Sequence, residues 1–356
     1  MRRTLSLVLL HLSAALLPAE QVTWYRGNTH SHSLQSDGDV RADRVVEIYR
    51  RLGYDFLVLT DHNWVTQLDR EPTRENYGML VIRGEECDSW GGPGHPGIHT
   101  TGANLSEDIP AQIGEMPDAK ARRLARQLQA AGISDESIER TLMLERSTAI
   151  LRGAVAAIRR QRGVPILNHP YGGPFEELIR RCPDLKLVEI WNQYPNLRHH
   201  HQYAESMWDA LLTSGRRIYA VASDDSHDMD PTTDTNRAAG ATPGRGWVMV
   251  RASELTPDAV LGAMERGDFY SSTGVTLSAL ELGPREVKVA VRESASNSYV
   301  IEFIGAGGVV LSRARGTQAR YLISGSDRYV RVRIRDDKGA FAWTQPVFIA
   351  NAPAGK

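Results

Sequence analysis

The chain has 356 residues, and its 42 Lys and Arg against 43 Asp and Glu give a formal net charge of -1. With no basic stripe, that balance argues against nucleic acid or an anionic membrane surface as partner. Seven Trp and twelve Tyr supply large side chains for a packed core, which argues against disorder, and the length suits one large domain or a large and a small one.

Arg2 and Arg3 precede an apolar run from Leu5 to Leu17, and Pro18-Ala19 lead into Glu20. This reads as a secretory signal peptide over residues 1–19, cleaved after Ala19, although Leu17 departs from the small-residue rule at the cleavage site. The run is too short to span a bilayer comfortably, and no later stretch is long and apolar enough. The mature chain is therefore expected to be exported, periplasmic or secreted, with no stable membrane insertion. Cys87 and Cys182 are the whole cysteine complement. They could pair after export, but two cysteines make no framework, and bystander thiols are the simpler reading.

From Trp24 onward a strand-like start leads into Asn28-Thr-His-Ser-His32, which places His30 and His32 on one face of a strand end. Ser36-Asp37-Gly38 is a turn signal. A helix over Val45–Leu52 follows, closed by Gly53, and then an apolar strand, Phe56–Thr60, ends at Asp61-His62. Strand, helix, strand favours a parallel α/β arrangement. Met79–Arg83 is the next strand, ended by Gly84-Glu85-Glu86, with His95 and His99 in a glycine-rich loop beyond it. Residues from about 106 to 162 form a helical tract, read as an inserted helical pair or lid, with a break at Gly132 and a capping Ser134. Strands at Val164–Asn168, Leu185–Ile190 and Arg217–Ala222 end at His169-Pro170, Trp191-Asn192 and Ser223-Asp224-Asp225-Ser226-His227. Polar groups repeatedly follow strand C-termini, where barrels and open α/β sheets carry their chemistry. After a strand at Trp247–Val250 and a helix at Ala259–Arg266, the pattern changes. From Val275, short alternating strands separated by Gly, Ser and Asp predict a β-sandwich-like module over 275–356, which contains no His and no Cys.

Imidazole and carboxylate together are ligands for first-row divalent metals. The order His-x-His, Ser-Asp-Gly, Thr-Asp-His, Gly-x-Glu, His-Pro and Asp-x-His, spread from Trp24 to Gly274, resembles the PHP family, named after polymerase and histidinol phosphatase. Within that family the chain looks most like exported metal-dependent phosphoesterases and CehA/McbA-type metallohydrolases. The resemblance implies a distorted (β/α)7 barrel over residues 20–274 with two or three divalent metals at its C-terminal mouth. His30 and His32 would share the first metal with Glu86 and Asp225. Glu86 would bridge to a second, completed by His99 and His169. Asp37, His62 and His227 would hold a third. Adjacent carboxylates leave choices open: the family's spacing favours Glu86 over Glu85 and Asp225 over Asp224, and His95 competes with His99. Asp61 is expected to orient a neighbouring imidazole rather than to ligate, and His199-His-His201 reads as a solvated segment. Mn, Zn and Fe all accept this donor mixture.

The expected reaction is hydrolysis of a small phosphomonoester or phosphodiester by a metal-bound hydroxide at a di- or trinuclear centre, with Glu86, His62, Asp225 and Arg245 as catalytic groups. Tyr171, Asn192 and Arg245 are candidate substrate contacts. The alternative is a carboxylic or carbamate ester or amide hydrolase. Basic residues around the mouth would favour phosphate, and aromatic walls from Trp64, Trp90 or Trp191 an apolar ester. A binding protein with purely structural metals is disfavoured, because a structural metal needs only four ligands.

Overall fold

The computed structural model describes residues 22–89, 97–111, 116–170, 174–193, 201–229, 241–293 and 298–349, with 201–203 given by backbone alone. The signal-peptide reading falls outside them, as do Trp90, His95, Tyr171, His199, His200 and the side chain of His201. The chain begins with β1 (Thr23–Asn28), α1 (Ala42–Arg51), β2 (Phe56–Leu59), α2 (Arg74–Tyr77), β3 (Leu80–Ser89) and β4 (Ile98–Ala103). It continues through α3 (Asp118–Ala130), α4 (Asp135–Arg160), β5 (Val164–Leu167), α5 (Phe175–Arg180), β6 (Leu187–Asn192), α6 (His201–Thr213) and β7 (Tyr219–Ser223). Then come β8 (Trp247–Ala252), α7 (Pro257–Arg266) and β9 (Phe269–Ser272). The last part is strand apart from one 3-10 turn, Ala306–Gly308: β10 (Leu277–Leu282), β11 (Glu286–Val291), β12 (Tyr299–Ile304), β13 (Val310–Arg315), β14 (Gln318–Leu322), β15 (Tyr329–Asp336), β16 (Phe341–Thr344) and β17 (Val347–Phe348).

Local chemistry sets the helix boundaries. Ser134 caps α4 by accepting from the Ser137 amide, and Thr256 caps α7 by accepting from Ala259, with Pro257 in the first turn where its missing N–H is harmless. In α4 the buried residues crowd into the C-terminal half, from Ser147 to Ile158, which is the part that crosses over the sheet. α3 has only Ala121 buried and pairs with the outer half of α4.

The α/β architecture is a mixed sheet rolled into a distorted barrel. β1, β2 and β3 are parallel, as are β5, β6 and β7. β4 runs antiparallel between β3 and β5, and β8 runs antiparallel between β1 and β9. The strand-then-helix alternation therefore lapses between β3 and β4, where the sequence suggested a loop around His99. Its residues, Ile98-His-Thr-Thr-Gly-Ala, include β-branched Ile98, Thr100 and Thr101 but follow a glycine-rich run that reads as a loop. They are extended because Thr101 pairs with Glu86 on one side and Ile166 on the other. β3 likewise runs on to Ser89 instead of ending at Glu86.

The free edge of β7 is sealed by side chains instead of a ladder. The Ala222 amide donates to Ser271 Oγ at 3.1 Å, and Ser271 Oγ donates to the Ala220 carbonyl at 2.8 Å. Gln345 meets the same residue twice: the Ala220 amide donates to Oε1 and Nε2 donates to the Ala220 carbonyl, each at 2.9 Å. Ser271 comes from β9, but Gln345 follows β16, so the C-terminal strands help to close the barrel.

Those strands form two facing sheets. β10, β11 and β14 make one, and β13, β12, β15 and β16 join the large sheet through β9. Val287, Val289 and Val291 pack against Ile301, Phe303, Val330, Val332 and Ile334 between them. Tyr329 and Trp343 point the other way, into the core shared with Trp208, Leu211 and Ile218. Cys87 and Cys182 are both buried and free. Among the described residues, no helix is long and apolar enough to cross a membrane.

Candidate metal centre

The clustered residues sit just past the ends of β1, β2, β5 and β7, except Glu86 inside β3 and His99 inside β4, and backbone pairing fixes them. Beyond β1, the His32 amide donates to the Ser226 carbonyl and the Asp225 amide donates to the His30 carbonyl. Beyond β2, His62 and Glu86 form a parallel bridge. The loop carrying Asp37 folds back because the Gly38 amide donates to the Ser33 carbonyl. A Cβ on Gly38 would lie 2.7–2.8 Å from the backbone of His32 and Ser33, so only glycine fits. Gly84 has the same role in β3, where a Cβ would meet the Gly102 and Leu59 carbonyl oxygens at 2.6 and 2.9 Å.

Three sets of donor atoms converge: His30, His32, Glu86 and Asp225; His32, Asp37, His62 and His227; and His62, Glu86 and His99. Glu86 lies at the centre. Its Oε2 is 3.2 Å from His30 Nε2, 3.3 Å from His32 Nε2 and 3.2 Å from His62 Nδ1. Its Oε1 is 3.1 Å from His99 Nδ1 and 3.3 Å from His169 Nε2. Asp225 Oδ1 stands 3.1 and 3.2 Å from His30 and His32 Nε2. Toward the surface, Asp37 meets His32, His62 and His227 at 3.3, 3.6 and 3.3 Å. His32 and His30 are fully buried, whereas the Asp37 side chain is 54% exposed, so the cluster opens on the Asp37 side.

This donor set fits divalent cations. Four donors, each roughly 2.0–2.1 Å from a common centre, would sit about 3.3–3.4 Å apart. Around His30 and His32, the spacings to each other and to the oxygens of Glu86 and Asp225 run from 3.1 to 3.3 Å. His30 Nδ1 is engaged by Glu189 Oε1 at 2.9 Å, which leaves the Nε2 lone pair facing two carboxylates. His62 Nδ1 is buried without a hydrogen bond, though Glu86 and Asp88 oxygens lie at 3.2 and 3.3 Å.

The electrostatics agree. Burial alone would lower the His30 imidazole, yet Asp225, Glu86 and Glu189 outweigh it and raise it well above its ordinary value. Burial would raise Glu86 and Asp225, but the surrounding imidazoles, His30 first, hold both far below the usual carboxylate range. Such a negative pocket attracts protons or, equally, a divalent cation.

The adjacent carboxylates separate by strand geometry. Glu85 faces away from Glu86, accepts from the Ile109 amide and the Cys87 thiol, and is pushed by burial up to about 7. Asp224 turns from the cluster to accept from Tyr49 and from the amides of Gly244, Arg245 and Gly246, and burial raises it to about 6. Asp225 reaches the imidazoles from a left-handed backbone, φ 49°, and His169 from φ 27°, both conformations that cost energy in a non-glycine residue.

Three expected residues make the following contacts. Asp61 accepts from the Ser33 amide and from the hydroxyls of Ser33, Ser36 and Thr66; it anchors the loop leading to Asp37 and reaches His32 Nδ1 only through Ser36 Oγ. Asn192 is buried and donates to Glu189 and Asp225, which makes it a support for the cluster. The Arg245 side chain is exposed and bonds Thr242 Oγ1, while its backbone serves Asp224. Other participants escaped the sequence reading. Glu189 also accepts from the His169 amide and Ser223 Oγ, Asn168 Nδ2 donates to Glu86 Oε1 at 2.7 Å, and Asp88 lies beside His62. Glu189 lies inside β6 and Asn168 directly precedes His169, positions that carry no metal-motif spacing.

No family model matches the chain, and no curated protein matches it. Among solved structures, a two-domain protein containing a predicted PHP-like metal-dependent phosphoesterase, from Bacteroides vulgatus, aligns over 94% of this chain and 92% of its own. The identity is 14% and the TM-score 0.46. An amidohydrolase from Chromobacterium violaceum, with bound sulfate and no metal, aligns over 59% of this chain and 89% of its own, at 22% identity and TM-score 0.38. A candidate metal-dependent phosphoesterase from Bifidobacterium adolescentis covers 56% of this chain and 87% of its own, at 14% identity and TM-score 0.37. What the site can do follows from its own side chains.

Proposed function

We propose that this protein is a metal-dependent hydrolase of the PHP type, cleaving small phosphomonoesters or phosphodiesters. The carrying observation is Glu86, one buried carboxylate whose two oxygens face five imidazoles in two directions, beside Asp225. His30, His32, Glu86 and Asp225 would hold one divalent cation, Glu86 with His99 and His169 a second, and Asp37, His62 and His227 a third. Bound there, Mn, Zn or Fe would supply positive charge for phosphate oxygens and activate water near neutral pH.

The chain's own groups do the rest. Glu189 holds the proton on His30 Nδ1, so the ring presents its Nε2 lone pair. Asn168 and Asn192 fix the rotamers of Glu86 and Asp225. The exposed Asp37 side, with the partly exposed His62, is where a substrate would enter. The exposed Trp64, 58% accessible and two residues from His62, favours a second reading, hydrolysis of an apolar carboxylic or carbamate ester. The leader-like sequence supports an exported enzyme.

The test joins metal analysis by mass spectrometry to hydrolysis of p-nitrophenyl phosphate, bis-p-nitrophenyl phosphate and p-nitrophenyl acetate. Two or three metals per chain, with phosphate release that Glu86→Ala abolishes, is the expected result. Cleavage of the acetate alone would select the second reading. A chain that takes up no Mn or Zn would remove the metal reading altogether.

A further inference from the structure

Outside the metal cluster, the face of the C-terminal sheet that turns toward α6 carries a lattice of arginines. The register sets Glu302 opposite Arg333 on β15 and Arg313 on β13, and Val300 opposite Arg335 and Arg315. All of these side chains share one face, because residues two apart on a strand point the same way. Glu302 is shared between Arg313, at 2.6 Å, and Arg333, at 2.7 Å. Glu205 on α6 is shared between Arg333 and the fully buried Arg331, which also grips Asp209. Five guanidinium groups thus face three carboxylates. The two left over are Arg315 and Arg335, which are exposed and make no ion pair or side-chain hydrogen bond among the described residues.

Both line a cavity of about 440 Å³, together with Arg313, Arg333, Val300, Phe341 and the carboxylates Glu205 and Glu302, which are already engaged by Arg331, Arg333 and Arg313. That volume suits a small organic ligand. The cavity lies on the mouth side of the fold. β9 runs parallel to β1 through β8, β16 runs back from the mouth end of β9, and Arg335 pairs with Phe341 at the start of β16.

We propose that this cavity is a binding site for the dianionic phosphate of a small organic phosphomonoester, separate from the metal cluster. Two uncompensated guanidinium groups match two negative charges, and the planar fork of arginine suits bidentate contact with phosphate oxygens. Phe341 and Val300 supply an apolar wall for the organic part. The site stands whether or not the metal cluster hydrolyses phosphate.

The experiment is calorimetric titration of full-length protein with inorganic phosphate and phenyl phosphate, at ionic strength matched with chloride. Glu86→Gln removes the centre of the metal cluster, and chelator-treated protein repeats the comparison should that variant not fold. In either background phosphate should bind, and Arg315→Gln with Arg335→Gln should weaken it roughly tenfold or more. The lysine pair at both positions should fall between. The melting temperature in chloride should not move, since neither arginine has a partner to lose. Phenyl phosphate should bind more tightly than inorganic phosphate. Unchanged affinity in the glutamine pair, or binding that chloride matches, would overturn the site, and equal affinity of the two phosphates would overturn the role of the apolar wall. Ester hydrolysis in the same variants reports separately on the metal cluster.

Discussion

His30 can present only one ring nitrogen inward because Glu189 occupies the other. A glutamine at 189 would keep the shape but lose the charge that stabilises this tautomer. Glu189→Gln should therefore weaken metal binding by roughly 10–100-fold, as measured by chelator competition, with little change in the fold. If its affinity equals that of the unmodified chain, Glu189 has no such role. Glu86 and Asp225 could be chosen over their acidic neighbours from motif spacing, but Glu189, Asn168 and Asp88 could not. Their relevance comes from where strands β6, β5 and β3 end in space, which no local pattern records.

At the level of elements, loops act through backbone contacts that tolerate little change. Gly38→Ala would force its Cβ into the His32 carbonyl and so displace Asp37. The expected result is loss of the outermost metal and most activity, with the inner set retained; unchanged metal stoichiometry would refute it. The β7 edge gives a second case. Gln345→Ala would leave the buried Ala220 amide without its acceptor, at a cost of about 1–3 kcal/mol in urea denaturation. Strands with strong apolar character, such as β2 and β5, were legible from the sequence. β4 was not, because the preceding glycine-rich run hides its β-branched residues and its place between β3 and β5 is set by two flanking ladders.

Across the whole molecule, the C-terminal strands are structural partners of the barrel. Tyr329 and Trp343 complete its core, Gln345 seals its edge, and Arg331 is buried against Glu205 and Asp209 of α6. Calorimetry should accordingly show one cooperative unfolding transition, and two separated transitions would contradict this coupling. Burial alone would raise the Glu205 carboxyl, but Arg331 and Arg333 outweigh it and hold it below its ordinary value of 4.5. The unfolded chain thus takes up this proton first as pH falls. The stabilisation is complete above 4.5 and is lost as pH drops through the folded value, so Glu205→Gln should flatten the acid side of the stability profile. The sequence by itself determined the donor types, their order along the chain and, for donors other than Glu86 and His99, their position after strand ends, because periodicity and turn chemistry are local. Tertiary structure alone decided which oxygen of Glu86 meets which imidazole, which carboxylates support the cluster and how the barrel closes. Those depend on strand register and on contacts between residues more than a hundred positions apart, such as Gln345 with Ala220 and Glu189 with His30.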